Sequence, residues 1–522
     1  MPARTGWVAA CPVGLMYLHT LLVFALLFFR TDSPPGREPS TVGAWMWGVA
    51  WIAGYWLIAG GFTGWITRTA LRRVRESPER VMSIHHQHHR RMAWTRWYLL
   101  SGFAALVYFG PWPELCYSLR VGAFLRILCD LLLVAPWLIA VAGLWAISFP
   151  VEREARAQRE DLVLGATPAR PKSRWAYVLF NLRMHVLIVV VPMVFVLWAN
   201  HVAKAYAADT RRWLDWPFAS ELLLGGVALA VFVASPAVLK RVWATHPLEA
   251  GTLRDRLEKA SRRIGLRYRD ILVWRTDGLM VNAAVMGLFK PVRYVMLSDG
   301  LLATMSDEQI EAIFGHESGH VRRRHIEYFL LFAFVAMLGV SGVLEVSLLW
   351  LPGLSASTLE VLAGATTLVA WGLGFGFISR RFEGEADLFG AGCVSPEGKD
   401  CTSPCGVHPA GGVSFDGARY ADGSGPVDRL CATGAAIFAS ALDRVAMLNG
   451  IDHKEPSWRH GSIGGRMRTI AAMSGDPSRV RRFRRSLRAI KITLVVAALG
   501  GGALTAAYVR KEKPRLLQVR FD

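Results

Sequence analysis

Long, nearly uncharged apolar stretches recur along this chain, and each must find either lipid or an unusually large core. A helix rises 1.5 Å per residue, so about 20 apolar residues cross the ~30 Å hydrocarbon layer of a bilayer. Stretches of that order lie at 14–29, 43–67, 96–113, 125–149, 176–200, 219–239, 327–351 and 358–378, with a weaker one at 490–508. Hydrophobic residues are 53% and charged residues 19% of the 522, whereas a soluble globular domain carries about 25% charge. These proportions exclude a disordered chain, a collagen-like fibre and a small disulfide scaffold. They predict a mainly α, polytopic α-helical membrane protein with a water-exposed portion. The 14–29 stretch, with no small-x-small cleavage site before Arg30, reads as an anchor helix.

The net charge of +20 would suggest nucleic acid if it sat on one globular face, but the arginines lie between apolar stretches and no base-stacking module accompanies them. No nucleic-acid partner is expected. The charge reads as a topology signal, because short loops rich in Lys and Arg stay in the cytosol. The 68–96 loop holds Arg68, Arg72, Arg73, Arg75, Arg80, Arg90, Arg91 and Arg96, and the 150–175 loop is similarly basic. Their placement puts 240–326 and 379–489 in the cytosol as well. Arg479, Arg481, Arg482, Arg484, Arg485 and Arg488 form a juxtamembrane patch suited to anionic lipid in the bilayer. The seven cysteines, Cys11, Cys116, Cys129, Cys393, Cys401, Cys405 and Cys431, are odd in number and scattered, so no disulfide framework is implied.

The chain divides accordingly into about six spans at 1–239, a first water-exposed part at 240–330, two further spans at 331–378, a second exposed part at 379–475, and a basic segment with a last span at 476–522. Within the first exposed part, Leu253, Leu257, Ala260 and Ile264 mark an amphipathic helix over 250–265. Three β-like runs follow at 270–275, 279–286 and 292–297, so a small sheet is expected. Ser306, with Gln309 three residues on, has the pattern of a capping box that opens a helix. The segment 394–428 is rich in Gly, Ser, Pro and Asp and reads as a long loop or insertion.

On that helix lies His316-Glu317-Ser318-Gly319-His320. Residues i and i+4 share a helical face, so both imidazoles can reach one zinc ion, and Glu317 stands where it can act on water at that ion. A catalytic zinc site needs a third protein ligand and an open position. A metzincin would have Gly at 323 and His at 326, where this chain has Arg323 and Ile326. His325 lies about 140° around the helix from His320 and reads as a polar residue at the helix end. The remaining ligands on offer are carboxylates: Glu345, Glu360, and the i, i+4 pair Glu383 and Asp387, of which one can ligate while the other hydrogen-bonds a ligating His. Glu385 would face away into solvent.

The runs NAAVMG at 282–287, VRYVMLSDGLL at 292–302, HESGHVRRRH at 316–325 and SRRFEGEAD at 379–387 together resemble the integral-membrane zinc endopeptidases that comprise type I CAAX prenyl proteases and bacterial heat-shock membrane proteases. The resemblance implies a zincin-like, gluzincin-type catalytic unit, one catalytic Zn²⁺ held by His316, His320 and Glu383, and Glu317 as general base in peptide-bond hydrolysis. It extends to His460 and Arg466 as catalytic residues, although Gly461 stands where the family has proline. Asp387 would support a ligating His, and Asn282 and Ala283 would lie on a strand whose free edge binds an extended, membrane-associated polypeptide substrate.

Two rivals differ in kind. An intramembrane site-2-type protease also uses HExxH, but inside an apolar span, whereas here Glu308, Glu311, Arg322, Arg323 and Arg324 flank it. A non-catalytic membrane scaffold or transporter with a retained zincin fold would be expected to have lost a ligand or the base. Other features have plainer readings. His85, His86, His88 and His89 have the composition to bind a metal but suit a solvated basic loop better, and Cys393, Cys401, Cys405 and His408 fit no common paired-cysteine zinc spacing. Asp130, Arg183 and His185 sit in or near apolar spans, where ionisable groups face protein or a water-filled cavity or snorkel to an interface.

Overall fold

Every apolar stretch described by the structure is a helix, and several run well beyond their apolar windows. The structure is a computed structural model that describes residues 19, 20, 22, 23, 42–119, 121–164, 173–206, 219–278, 280–351, 353–394 and 430–518. Most of the expected 14–29 span and nearly all of the 394–428 insertion, with Cys401, Cys405 and His408, lie outside the described residues.

Seven described helices are long and apolar enough to cross a membrane: Val42–Glu76, Ile127–Ala155, Arg174–Ala205, Leu223–Val242, His325–Trp350, Leu362–Cys393 and Pro477–Ala507. Only 6% of the apolar window of His325–Trp350 is buried by protein, and Leu330, Phe334, Met337, Leu349 and Trp350 are exposed along it. An apolar face left bare on that scale is covered by lipid. The chain is a multi-pass membrane protein.

The basic segments expected as loops are helical instead. Helix α1 (Val42–Glu76) runs through Arg68–Arg75, a single 3₁₀ turn at Pro78–Arg80 reverses the chain, and α2 (Val81–Tyr108) begins at once. The expected 96–113 span falls on the second half of α2 and the turn after it, and is not among the seven. The 150–175 segment likewise stays helical, in α3 (Ile127–Leu164), as far as Leu164. The physical reason is a hydrophobic cluster of Ala70, Val74, Val81, Ile84, Val151 and Ala155, which packs α1, α2 and α3 together among the arginines. Such packing, more than intrinsic propensity, decides helix length. Near the other end of α3, the buried Asp130 is held by the Tyr117 hydroxyl at 2.7 Å and His201 Nε2 at 2.6 Å.

The amphipathic pattern of 250–265 becomes α4 (Thr252–Ile264), with Leu257, Ala260 and Ile264 buried. The sheet has four strands, β1 (Thr245–Pro247), β2 (Asp270–Trp274), β3 (Ala283–Met286) and β4 (Tyr294–Ser298), in the order β1-β2-β4-β3. β2 and β4 are parallel, the outer pairs antiparallel, and β3 is an edge strand. One core joins Leu257, Ile271 and Leu297 from this part to Phe389, Phe438 and Ile470 from the part after the two intervening spans. Helix α5 (Asp307–Arg322), α6 (His325–Trp350), α7 (Gly376–Cys393), α8 (Ala432–Asn449), α9 (Ile463–Gly475) and α10 (Pro477–Gln518) complete the described chain around the site.

Candidate metal centre

The site is built on α5, and the local sequence explains where that helix starts. Ser306 Oγ accepts from Gln309 N–H while Gln309 Oε1 accepts from Ser306 N–H, so the expected capping box is formed. From that start, His316 and His320 fall on one face, with their Nε2 atoms 3.3 Å apart. Helix α7 crosses directly against them. A Cβ on Gly390 would stand 2.9 Å from Ala312 O and from His316 N, so only glycine lets the two backbones approach this closely.

That approach delivers Glu383. Its Oε2 lies 3.6 Å from His316 Nε2 and its Oε1 lies 3.7 Å from His320 Nε2. A tetrahedral ion with ligand bonds of roughly 2.0–2.1 Å has ligand-to-ligand separations of about 3.3–3.5 Å, so two imidazoles and a carboxylate at these distances fit zinc in both geometry and donor chemistry. Among the described residues this is one of two groups with the donor atoms to hold an ion. Glu345, also weighed from sequence, is exposed on α6.

Three further groups hold the trio in place. Asp387 Oδ1 lies 2.9 Å from His316 Nδ1, a position from which a carboxylate can orient that imidazole. Arg466, from α9, binds Asp387 with two bonds, Nε to Oδ2 at 2.9 Å and Nη2 to Oδ1 at 2.5 Å, and its Nη1 is 3.7 Å from Glu383. His460 Nδ1 is 2.9 Å from Glu383 Oε1. The residue after it explains the departure from proline: Gly461 has φ +74°, a left-handed conformation closed to proline, and its N–H donates to Ser457 O at 2.9 Å. A different turn thus brings His460 to the site.

Two residues were misread in sequence. His325 does stand at a helix end, the first residue of α6, but it is fully buried and bonded into the site, and Glu385 does not face away into solvent. His325 Nδ1 is 2.9 Å from His320 Nδ1, its Nε2 is 2.9 Å from Glu385 Oε2, and Lys491 Nζ donates to the same Glu385 oxygen at 2.8 Å. The helical wheel fails here because α5 ends at Arg322. Arg324 takes a left-handed conformation, φ 57°, and a new helix starts, so His325 turns back toward His320.

Glu317 is half-buried beside β3. Burial raises its pKa, with His316 and His460 opposing the shift and the Val285 backbone N–H also bonding its carboxylate. Burial and the neighbouring His316 push His320 down to about 3, so it is neutral and its nitrogen is free to bind a metal. Burial likewise acts to lower the His316 pKa, but the Asp387 carboxylate outweighs it and the net shift is upward.

The strand beside Glu317 presents a partly open edge. On the β4 side the Asn282 carbonyl accepts from Ser298 N–H and the Asn282 N–H donates to Ser298 Oγ, while the Asn282 side chain accepts from Ala283 N–H. By the alternation of an antiparallel ladder, Val281, Ala283 and Val285 then turn their backbone groups outward. Val281 is already covered, since the Asn449 side chain both accepts from its N–H and donates to its carbonyl. Asn449 had no signal in the sequence.

Residues 247–486 match peptidase family M48. Over 119 residues the chain is 30% identical to a protease HtpX homolog of Pyrobaculum calidifontis, covering 22% of this chain and 33% of that protein. A protease HtpX homolog of Thermoplasma acidophilum is 28% identical over 108 residues, 20% of this chain and 33% of that protein. The chain thus spans about a third of the length of these curated relatives. The crystal structure of S. mikatae Ste24p superposes with a TM-score of 0.42 at 13% identity, covering 81% of this chain and 98% of that one. The family match and the curated relatives bear out the resemblance carried by the HESGHVRRRH and SRRFEGEAD runs.

Proposed function

We propose that this chain, which matches peptidase family M48 across residues 247–486, is a zinc-dependent endopeptidase of the membrane that hydrolyses peptide bonds in membrane-associated polypeptides. The observation that carries the reading is the convergence of His316, His320 and Glu383 from two helices, with Glu317 between them and a strand edge. A zinc ion held by the three ligands supplies a Lewis acid for a peptide carbonyl and for water. Glu317 takes the proton of the attacking water as it adds to the carbonyl carbon, and returns that proton to the leaving amine nitrogen as the C–N bond breaks. His460 and Arg466, on the Glu383 side, offer donors to the negative charge that develops on the carbonyl oxygen. The substrate lies extended beside β3, starting from the Asn282–Ala283 end, and donates to the outward carbonyls of Ala283 and Val285, whose N–H groups are held by Asn282 and Glu317, a mode tolerant of side-chain identity. The catalytic unit faces the cytosol, a reading supported by the Lys- and Arg-rich segments that flank the membrane helices.

The deciding experiment presents detergent-purified chain with an unstructured protein and with a farnesylated CAAX-type peptide. Cleavage that is abolished both by chelation and by Glu317→Gln is the expected result, and the preferred substrate separates general degradation from prenyl-peptide processing. A chain that holds a zinc ion lost in H316A/H320A and yet cleaves neither substrate would refute the reading.

A further inference from the structure

The His85–His89 cluster has a second life in the fold. His85 and His89 are i and i+4 on α2, as His316 and His320 are on α5, and a carboxylate from another helix again meets them. His85 Nε2 lies 2.8 Å from Glu152 Oε2, His89 Nε2 lies 3.4 Å from the same oxygen, and the two Nε2 atoms are 3.0 Å apart. All three atoms therefore stand within about half an ångström of the separations in a tetrahedral zinc site. A hydrogen bond needs its proton near the line between two atoms, so one proton does not satisfy three mutual contacts arranged as a triangle. A cation above its centre does. The side chains of His85 and Glu152 are 13% and 10% exposed and that of His89 is 32% exposed, so the pair His85–Glu152 is largely sheltered and His89 is the member that solvent and an incoming ion reach.

We propose that His85, His89 and Glu152 form a second zinc-binding site, separate from the one on α5, which clamps α2 to α3 across 67 residues of sequence. Glu152 lies at the Ala155 end of the Ile127–Ala155 span, where the hydrophobic cluster around Ile84 and Val151 already aligns the two helices. The clamp rests on no assumption about peptidase activity, and its readout is metal content.

Full-length chain purified in detergent is equilibrated with zinc against a competing chelator, and bound metal is counted per chain. Unaltered protein is expected to hold two zinc ions and H316A/H320A one. Adding H89A or E152Q to that variant is expected to weaken the remaining ion at least tenfold. E152Q keeps the size and a hydrogen-bonding oxygen of Glu152, so it tests the site even if H89A fails to fold. X-ray absorption on H316A/H320A is expected to report two imidazoles on the retained zinc. A single zinc per unaltered chain that disappears in H316A/H320A would overturn the proposal and make the trio a proton-sharing hydrogen-bond cluster. Retention of the second ion in both H89A and E152Q would overturn it equally.

Discussion

Glu317 is an acid kept partly out of water, and two outcomes follow from that at the scale of one residue. Glu317→Gln leaves the three ligands in place and removes the proton acceptor, so cleavage of an unstructured protein should fall by roughly 10²–10⁴ with zinc content unchanged. Burial raises the Glu317 pKa in the folded chain. A carboxyl with a raised folded pKa contributes stability below its unfolded pKa and loses it as pH rises through the folded value. In the zinc-free protein at pH 7 the Gln variant should therefore be as stable as the unaltered chain or more so, and a thermal melt in the same detergent checks this. Glu385 acts at one remove. It holds His325, which holds His320, so Glu385→Gln should weaken zinc binding about 10–100-fold while leaving Glu317 and the substrate edge intact, measured by chelator competition.

Between elements, the decisive contact is α5 against α7. Gly390 lies under the backbone of α5 at Ala312 and His316, so a methyl group there must push the helices apart. Gly390→Ala should cost about 1–3 kcal/mol in thermal or denaturant unfolding, as overpacking does, and should also lower zinc affinity, because Glu383 rides on the displaced helix. A comparable substitution at Gly364, which has open space around it, should do neither. Asn449 gives an element-scale test of the substrate edge. Asn449→Ala uncovers the backbone of Val281 and should change KM for extended peptides more than kcat.

Across the whole molecule, the two halves of the site are joined through the membrane. Glu383 sits on the continuation of the Leu362–Cys393 helix, α6 departs for the bilayer five residues after His320, and Lys491 of α10 reaches back to Glu385. The part at 240–330 made alone lacks the third ligand and the helix that orients the first two. It should bind zinc at least about 100-fold more weakly than the full chain in a chelator titration.

What the amino-acid order determined by itself was local. The helices follow from apolar length, the α4 face and the β runs from periodicity, the start of α5 from its capping box, and the pairing of His316 with His320 from helical pitch. Only the tertiary structure decided which groups from distant segments meet there. It aimed His325 and Glu385 inward, brought Asn449 to Val281, and turned a basic loop into helices that carry His85 and His89 to Glu152, whereas Glu383 was already implied by the resemblance of the SRRFEGEAD run. Those meetings depend on helix ends and on how closely backbones pack, and pairs separated by 60 to 168 residues leave no periodic trace in a single sequence.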